Sequence, residues 1–223
     1  MSRSRSAGGE RRAVLSRRLL LGGAAAVLLP ATVVRAQEAP AAPVDRGPVD
    51  ATALRLLASL PGKVIMGAKA APLVTEFVDF NAPGWRHSAD DMRQLLFGDP
   101  RLAYAVVQMP RRDVQSVEAA RIALAVLALH PGRFQAFYEA LSRTEGQIDG
   151  VKALNVVRAE GLDHFKIFRA SNQPDVTDSL NRSVELGSAL RLIEPPAYVI
   201  GANLWTGDLD LARKRALITA ARG

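Results

Sequence analysis

The 223-residue chain contains no cysteine. It therefore forms no disulfide, offers no thiolate nucleophile, and lacks the ligand used by most structural zinc sites. Histidine is scarce too. His87, His130 and His164 fall on separate expected elements without H-x-x-x-H spacing, so no metal site is expected. No G-x-x-x-x-G-K-[ST] or G-x-G-x-x-G segment follows a strand, which excludes the common nucleotide-phosphate cradles. Ser142 and Ser188 come with no readable His and Asp arrangement for a triad. No cofactor is expected. The apolar run over residues 19–29 is too short to span a bilayer.

Basic charge is missing where a nucleic-acid binder needs it. The net charge is +7, but residues 1–36 hold seven Arg and one Glu, which leaves +1 for the rest. No basic stripe tracks a phosphate backbone, so no nucleic-acid partner is expected.

What is present begins with a leader. Residues 1–36 have the three parts of an export signal: a basic region, an apolar run, and Val34-Arg35-Ala36 before a cut at Gln37. Ser16-Arg17-Arg18-Leu19-Leu20-Leu21 resembles a twin-arginine signal without the usual Phe. Arginine pairs also occur in ordinary signals, so the export route stays open. The expected product is periplasmic, with no stable membrane span after cleavage. Disulfides persist in that compartment, so a cysteine-free chain there is informative.

The whole chain is 48% hydrophobic, which fits a globular protein. Residues 37–50 are rich in Pro and Ala and read as a linker. Periodicity predicts a short helix over 51–60, an edge strand over 64–66, and buried strands over 73–80 and 102–109. Between those buried strands a helix is expected over 88–97, with Ser88 as N-cap and Gly98 as stop. Residues 114–190 read as successive helices. Two short strands follow at 197–200 and 204–205, then a closing helix over 208–221.

The stretch Glu76-Phe77-Val78-Asp79-Phe80-Asn81-Ala82-Pro83-Gly84-Trp85 is similar to the Glu-Phe-Phe-Asp-Tyr-x-Cys-Pro-Tyr-Cys of the DsbA-like family. Glu194-Pro195-Pro196-Ala197-Tyr198-Val199-Ile200-Gly201 is similar to that family's Gly-Thr-Pro-x-Phe-Val-Ile-Asn-Gly. Leu95-Leu96-x-x-Asp99-Pro100 and Val117-x-Ala119-Ala120-Arg121 resemble the segments between. The chain thus resembles the DsbA-like thioredoxin-fold family of periplasmic thiol:disulfide oxidoreductases. The resemblance implies an α/β, thioredoxin-like fold with an inserted helical domain. Its divisions are a signal at 1–36, linker and short helix at 37–62, a first half at 63–109, a helical cap at 110–192, and a second half at 193–223.

The resemblance puts Ala82 and Trp85 at the two redox cysteines. A methyl group is no nucleophile and an indole resolves no mixed disulfide, so thiol exchange is excluded. Glu76 falls on the family's buried acid, either as a carboxyl with a raised pKa or as a solvent-reaching or backbone-capping group. Pro196 falls on the family's cis-proline. Pro195 precedes it and has no N–H, so one backbone bond to an extended peptide is lost. Trp85 has two readings, a lid over the old site or a flat ligand surface beside Pro196 and Tyr198. The expected role is non-catalytic binding of a polypeptide or envelope protein. The groove would be formed by Pro83, Gly84, Trp85, Arg86, Pro195, Pro196 and Tyr198. The rival from another class is an enzyme of unrelated chemistry using Glu76, Arg86 or His87.

Overall fold

Two mostly apolar runs become the central strands because both of their faces are covered. β3 (Val74–Val78) and β4 (Ala103–Gln108) are buried at every residue, as continuous runs in parallel pairs should be. They pair in parallel, Glu76 opposite Val106, and the helix α2 (Trp85–Gly98) makes the crossover that parallel pairing needs. The computed structural model describes residue 39 and residues 41–223; the leader and its cut lie outside the described residues.

Four more strands complete the sheet: β1 (Val44–Pro48), β2 (Val64–Gly67), β5 (Ala197–Ile200) and β6 (Asn203–Thr206). The order is β1-β6-β5-β3-β4-β2, with every pair except β3–β4 antiparallel. The remaining helices are α1 (Ala51–Ser59), α3 (Val114–Leu129), α4 (Phe134–Ser142), α5 (Gly150–Ala159), α6 (His164–Ser171), α7 (Pro174–Ala189) and α8 (Leu211–Ala221). Asp50, Asp113, Asp149, Asp163 and Asp210 cap five of them, each accepting first-turn N–H groups.

Strand alternation divides the core in two. Phe77, Val107 and Val199 face Leu57 of α1 and Leu186 of α7. Val78, Tyr104, Val106 and Tyr198 face α2, and the same cluster runs on through Phe134, Phe137, Tyr138 and Val157. The inserted helices α3–α6 therefore share one continuous core with the sheet, while α7 lies over the opposite face.

Two local expectations are corrected. Residues 44–48 are not linker but the edge strand β1, pairing antiparallel with β6, Val44 opposite Thr206. Its exposed Val-Asp-Arg-Gly-Pro sequence carries no period-2 signal, because β6 supplies backbone partners and no buried face is needed. Ser88 is not an N-cap. α2 starts three residues earlier, after Gly84 at φ 86° with no side-chain cap, and Ser88 sits buried inside it.

Gly67 ends β2 at φ 82°, and a Cβ there would collide with the Leu102 carbonyl oxygen. Gly67→Ala is expected to cost about 1–3 kcal/mol, read as a lower urea midpoint with an unchanged slope. An unchanged midpoint would show that this strand end yields freely.

Candidate functional site

The loop between β3 and α2 is held by side chains whose polar atoms are almost all used. Asp79 is buried, and its two oxygens accept four bonds. Oδ1 takes Asn81 N–H at 2.8 Å and the Ser116 hydroxyl at 2.6 Å. Oδ2 takes the N–H groups of Arg111 and Arg112 at 2.7 and 3.0 Å. Asn81 pairs with Ile148 as a strand residue would: its Oδ1 accepts Ile148 N–H at 2.7 Å and its Nδ2 donates to Ile148 O at 2.8 Å. Arg86 donates to the carbonyls of Thr144 and Gly146 at 2.8 and 2.6 Å. Its guanidinium is committed to the α4–α5 connection and is not free to hold an anion at the start of α2.

Ala82 and Trp85 lie side by side at that start, and both are sealed, at 4% and 1% exposure. Trp85 meets Phe80 edge-on, ring centroids 5.2 Å apart, and Tyr138 at 6.1 Å. The indole fills core volume and presents no surface to a ligand; of the two readings of this residue, the packed one holds. Its N–H has no hydrogen-bond partner among the described residues.

Glu76 lies fully buried on the same face of the sheet. Its Oε2 accepts the Tyr104 hydroxyl at 2.7 Å, and Oε1 has no hydrogen-bond partner. Burial pushes the carboxyl above the ordinary glutamate range, and the charge of Lys214 with the Ser88 and Tyr104 hydroxyls pulls it part of the way back. Burial, followed by repulsion from Glu76, also raises Tyr104 and Tyr138 well above the usual tyrosine range.

Lys214 is the residue that sequence reasoning missed. It sits on α8 with no exposed surface. Its Nζ donates to Ser88 Oγ and Asp91 Oδ2, each at 2.9 Å, and lies 4.9 Å from the Tyr198 ring centre. Tyr198 donates its hydroxyl to the same Ser88 Oγ at 3.0 Å. A signal was present: Leu211, Lys214 and Ile218 share one helical stripe, so the lysine stands on the apolar side of the closing helix.

The expected groove residues therefore divide. Trp85 and Tyr198 are interior, Arg86 braces the cap, and Gly84 provides the left-handed turn. Pro83, Pro195 and Pro196 do come together, lining a cavity of about 310 Å³ with Val44, Arg46, Ile193 and Thr206. The peptide bond between Pro195 and Pro196 is cis. The Pro196 carbonyl accepts Gly207 N–H at 3.0 Å, whereas the Pro195 carbonyl has no backbone partner among the described residues. Neither Glu76 nor His87 lines this cavity.

The sheet order, the helices between β4 and β5, and the cis bond facing the start of α2 define a DsbA-like thioredoxin fold. The chain carries no cysteine, as a degenerate member with that fold would. The chain is similar to a thioredoxin-like oxidoreductase from Silicibacter pomeroyi DSS-3, at 27% identity and a TM-score of 0.68, covering 75% of this chain and 96% of that one. It is also similar to the catalytic domain of Proteus mirabilis ScsC, at 20% identity and a TM-score of 0.69, covering 77% and 95%. The thiol-disulfide exchange protein alpha-DsbA2 from Wolbachia pipientis matches at 23% identity and a TM-score of 0.65, covering 70% and 86%. No family model and no curated protein matches the chain.

Two measurements check this interior. Trp85→Ala removes a fully packed indole and is expected to cost about 3–5 kcal/mol of unfolding free energy; a cost under about 1 kcal/mol would mean that the site is open. Glu76 holds its proton more tightly folded than unfolded. Its stabilising contribution is therefore complete below the ordinary glutamate range and is lost as pH rises through the raised folded value. Glu76→Gln should flatten that decline in a pH series of urea midpoints. An identical slope in both proteins would show that the carboxyl ionises as readily folded as unfolded.

Proposed function

We propose that the chain is a periplasmic polypeptide-binding or envelope-interaction protein that acts without thiol chemistry, through the cavity beside Pro195 and Pro196. The observation that carries this reading is a separation. Ala82 and Trp85, which the sequence resemblance sets at the cysteine positions, are closed over, while the neighbouring proline-lined cavity stays open to solvent. A chain without sulfur at these positions forms no mixed disulfide, so what the scaffold retains is its contact surface.

That surface suits an extended segment. Its floor is apolar, and Ile193 stands 81% exposed at its edge. The Pro195 carbonyl can accept one N–H from a bound strand, although Pro195 cannot donate in return. The cavity size is at the lower end for ligand sites. The competing enzyme reading lacks support of this kind, because Glu76 is walled in and Arg86 is spent on the cap. Among the described residues no helix is long and apolar enough to cross a membrane.

In an insulin-reduction assay the purified chain should show no turnover above buffer, and real turnover would refute the reading. Labelled extended hydrophobic peptides should bind in anisotropy titrations. Ile193→Asp should weaken them about tenfold by removing buried apolar contact. Affinity unchanged in that variant would move binding away from this cavity.

A further inference from the structure

We propose that the groove selects polypeptide segments carrying carboxylates, which Arg46 and Arg191 receive at its rim. This rests on the polypeptide-binding reading above and adds a charge requirement to it. Three charged side chains line the cavity: Arg46, Arg191 and Glu194. Glu194 is already engaged, its Oε2 lying 3.8 Å from Nη1 of Arg112. The two arginines are not neutralised in this way.

Arg46 donates its Nε to the Thr206 hydroxyl at 3.0 Å. That single bond orients the guanidinium at the end of β6, and its terminal nitrogens make no hydrogen bond among the described residues. A planar fork with one donor tied down and the others facing solvent is prepared for a carboxylate.

Arg191 is placed at a conformational cost. It follows α7 with φ at 56°. Its N–H bonds Ser188 O at 2.9 Å, and the next N–H, of Leu192, bonds Gly187 O at 2.8 Å. This is the helix ending in which glycine is the favoured residue, because a Cβ crowds the backbone in the left-handed region. The chain carries arginine there instead. The guanidinium makes no hydrogen bond or ion pair among the described residues, so nothing in the described fold uses it. The cavity it lines is where it has a task.

The geometry also names the form of the ligand. An extended strand sends alternate side chains to opposite sides. A segment alternating apolar and acidic residues would lay one set on the Ile193 and proline floor and lift the other towards the two arginines. The described part of the chain carries little net charge, so this preference is a local property of the rim and not of bulk attraction.

The test compares two fluorescein-labelled peptides of equal length, one alternating Val and Glu, the other Val and Gln, binding to the full chain. The Val-Glu peptide should bind about tenfold more tightly at low salt, and high salt should shrink that margin. The double variant Arg46→Gln with Arg191→Gln should abolish it. Arg191→Gly separates recognition from folding: relief of the left-handed strain should raise Tm by about 2–4 °C while the margin falls. A lower Tm together with lost binding would assign Arg191 to packing and overturn its role. Equal affinity for both peptides, or a margin the double variant leaves intact, overturns the acid preference and leaves the groove standing. If neither peptide binds, the groove reading fails and this proposal with it.

Discussion

Asp79 is the joint from which the site hangs. A buried carboxylate is tolerable only when its lone pairs are met by donors, and this one is met by four. Those donors come from three places: the loop after β3, the turn after β4, and the first turn of α3. One side chain thus ties the end of the central strand to the entry of the helical insert. Asn81 and Arg86 extend the tie to Ile148, Thr144 and Gly146. The start of α2 is consequently fixed against the cap, and the wall that Pro83 gives to the cavity is fixed with it.

Beneath that loop the interior holds groups that look chemical but are enclosed. Tyr104 bonds Glu76, and Ser88 gathers Tyr198 and Lys214, the lysine reaching on to the partly exposed Asp91. Lys214 meets a close carboxylate and a ring face in the core, the pairing a buried cation requires. Trp85, buried beside Phe80 and Tyr138, packs in the same core as Tyr104 and Tyr198. A raised pKa usually marks chemistry only when a solute can reach the group. Here the perturbation of Glu76 records burial.

The cavity obeys the opposite logic. Its lining includes two consecutive prolines, which have no N–H to satisfy and are themselves buried, while Ile193 stands exposed at its edge. β1 supplies its far wall through Val44 and Arg46, so an edge strand without sequence signal becomes part of the cavity lining. The arginines at the rim are the polar groups still open to a partner. Contact recognition needs this combination of apolar floor and oriented charge, and thiol exchange would have needed sulfur a few ångströms away.

Much of this was legible in one dimension. Largely apolar, β-leaning runs announced β3 and β4, the helical block between strands announced the insert, and the missing cysteines excluded disulfide exchange. Composition decides such questions because a chemical step cannot proceed without its atom. Periodicity decides the others because it reports which face of an element is buried. Neither reports what lies across from that face. Sequence patterns alone therefore put Ser88 at a helix end, left residues 44–48 as linker, passed over Lys214, and gathered Trp85, Tyr198 and Pro196 into one groove. Tertiary packing moved Ser88 inward to meet Lys214 and Tyr198, paired β1 with β6, and set the indole in the core away from the cavity that the prolines line. Those outcomes depend on distances between residues far apart in the chain, which exist only once the sheet has closed against its helices.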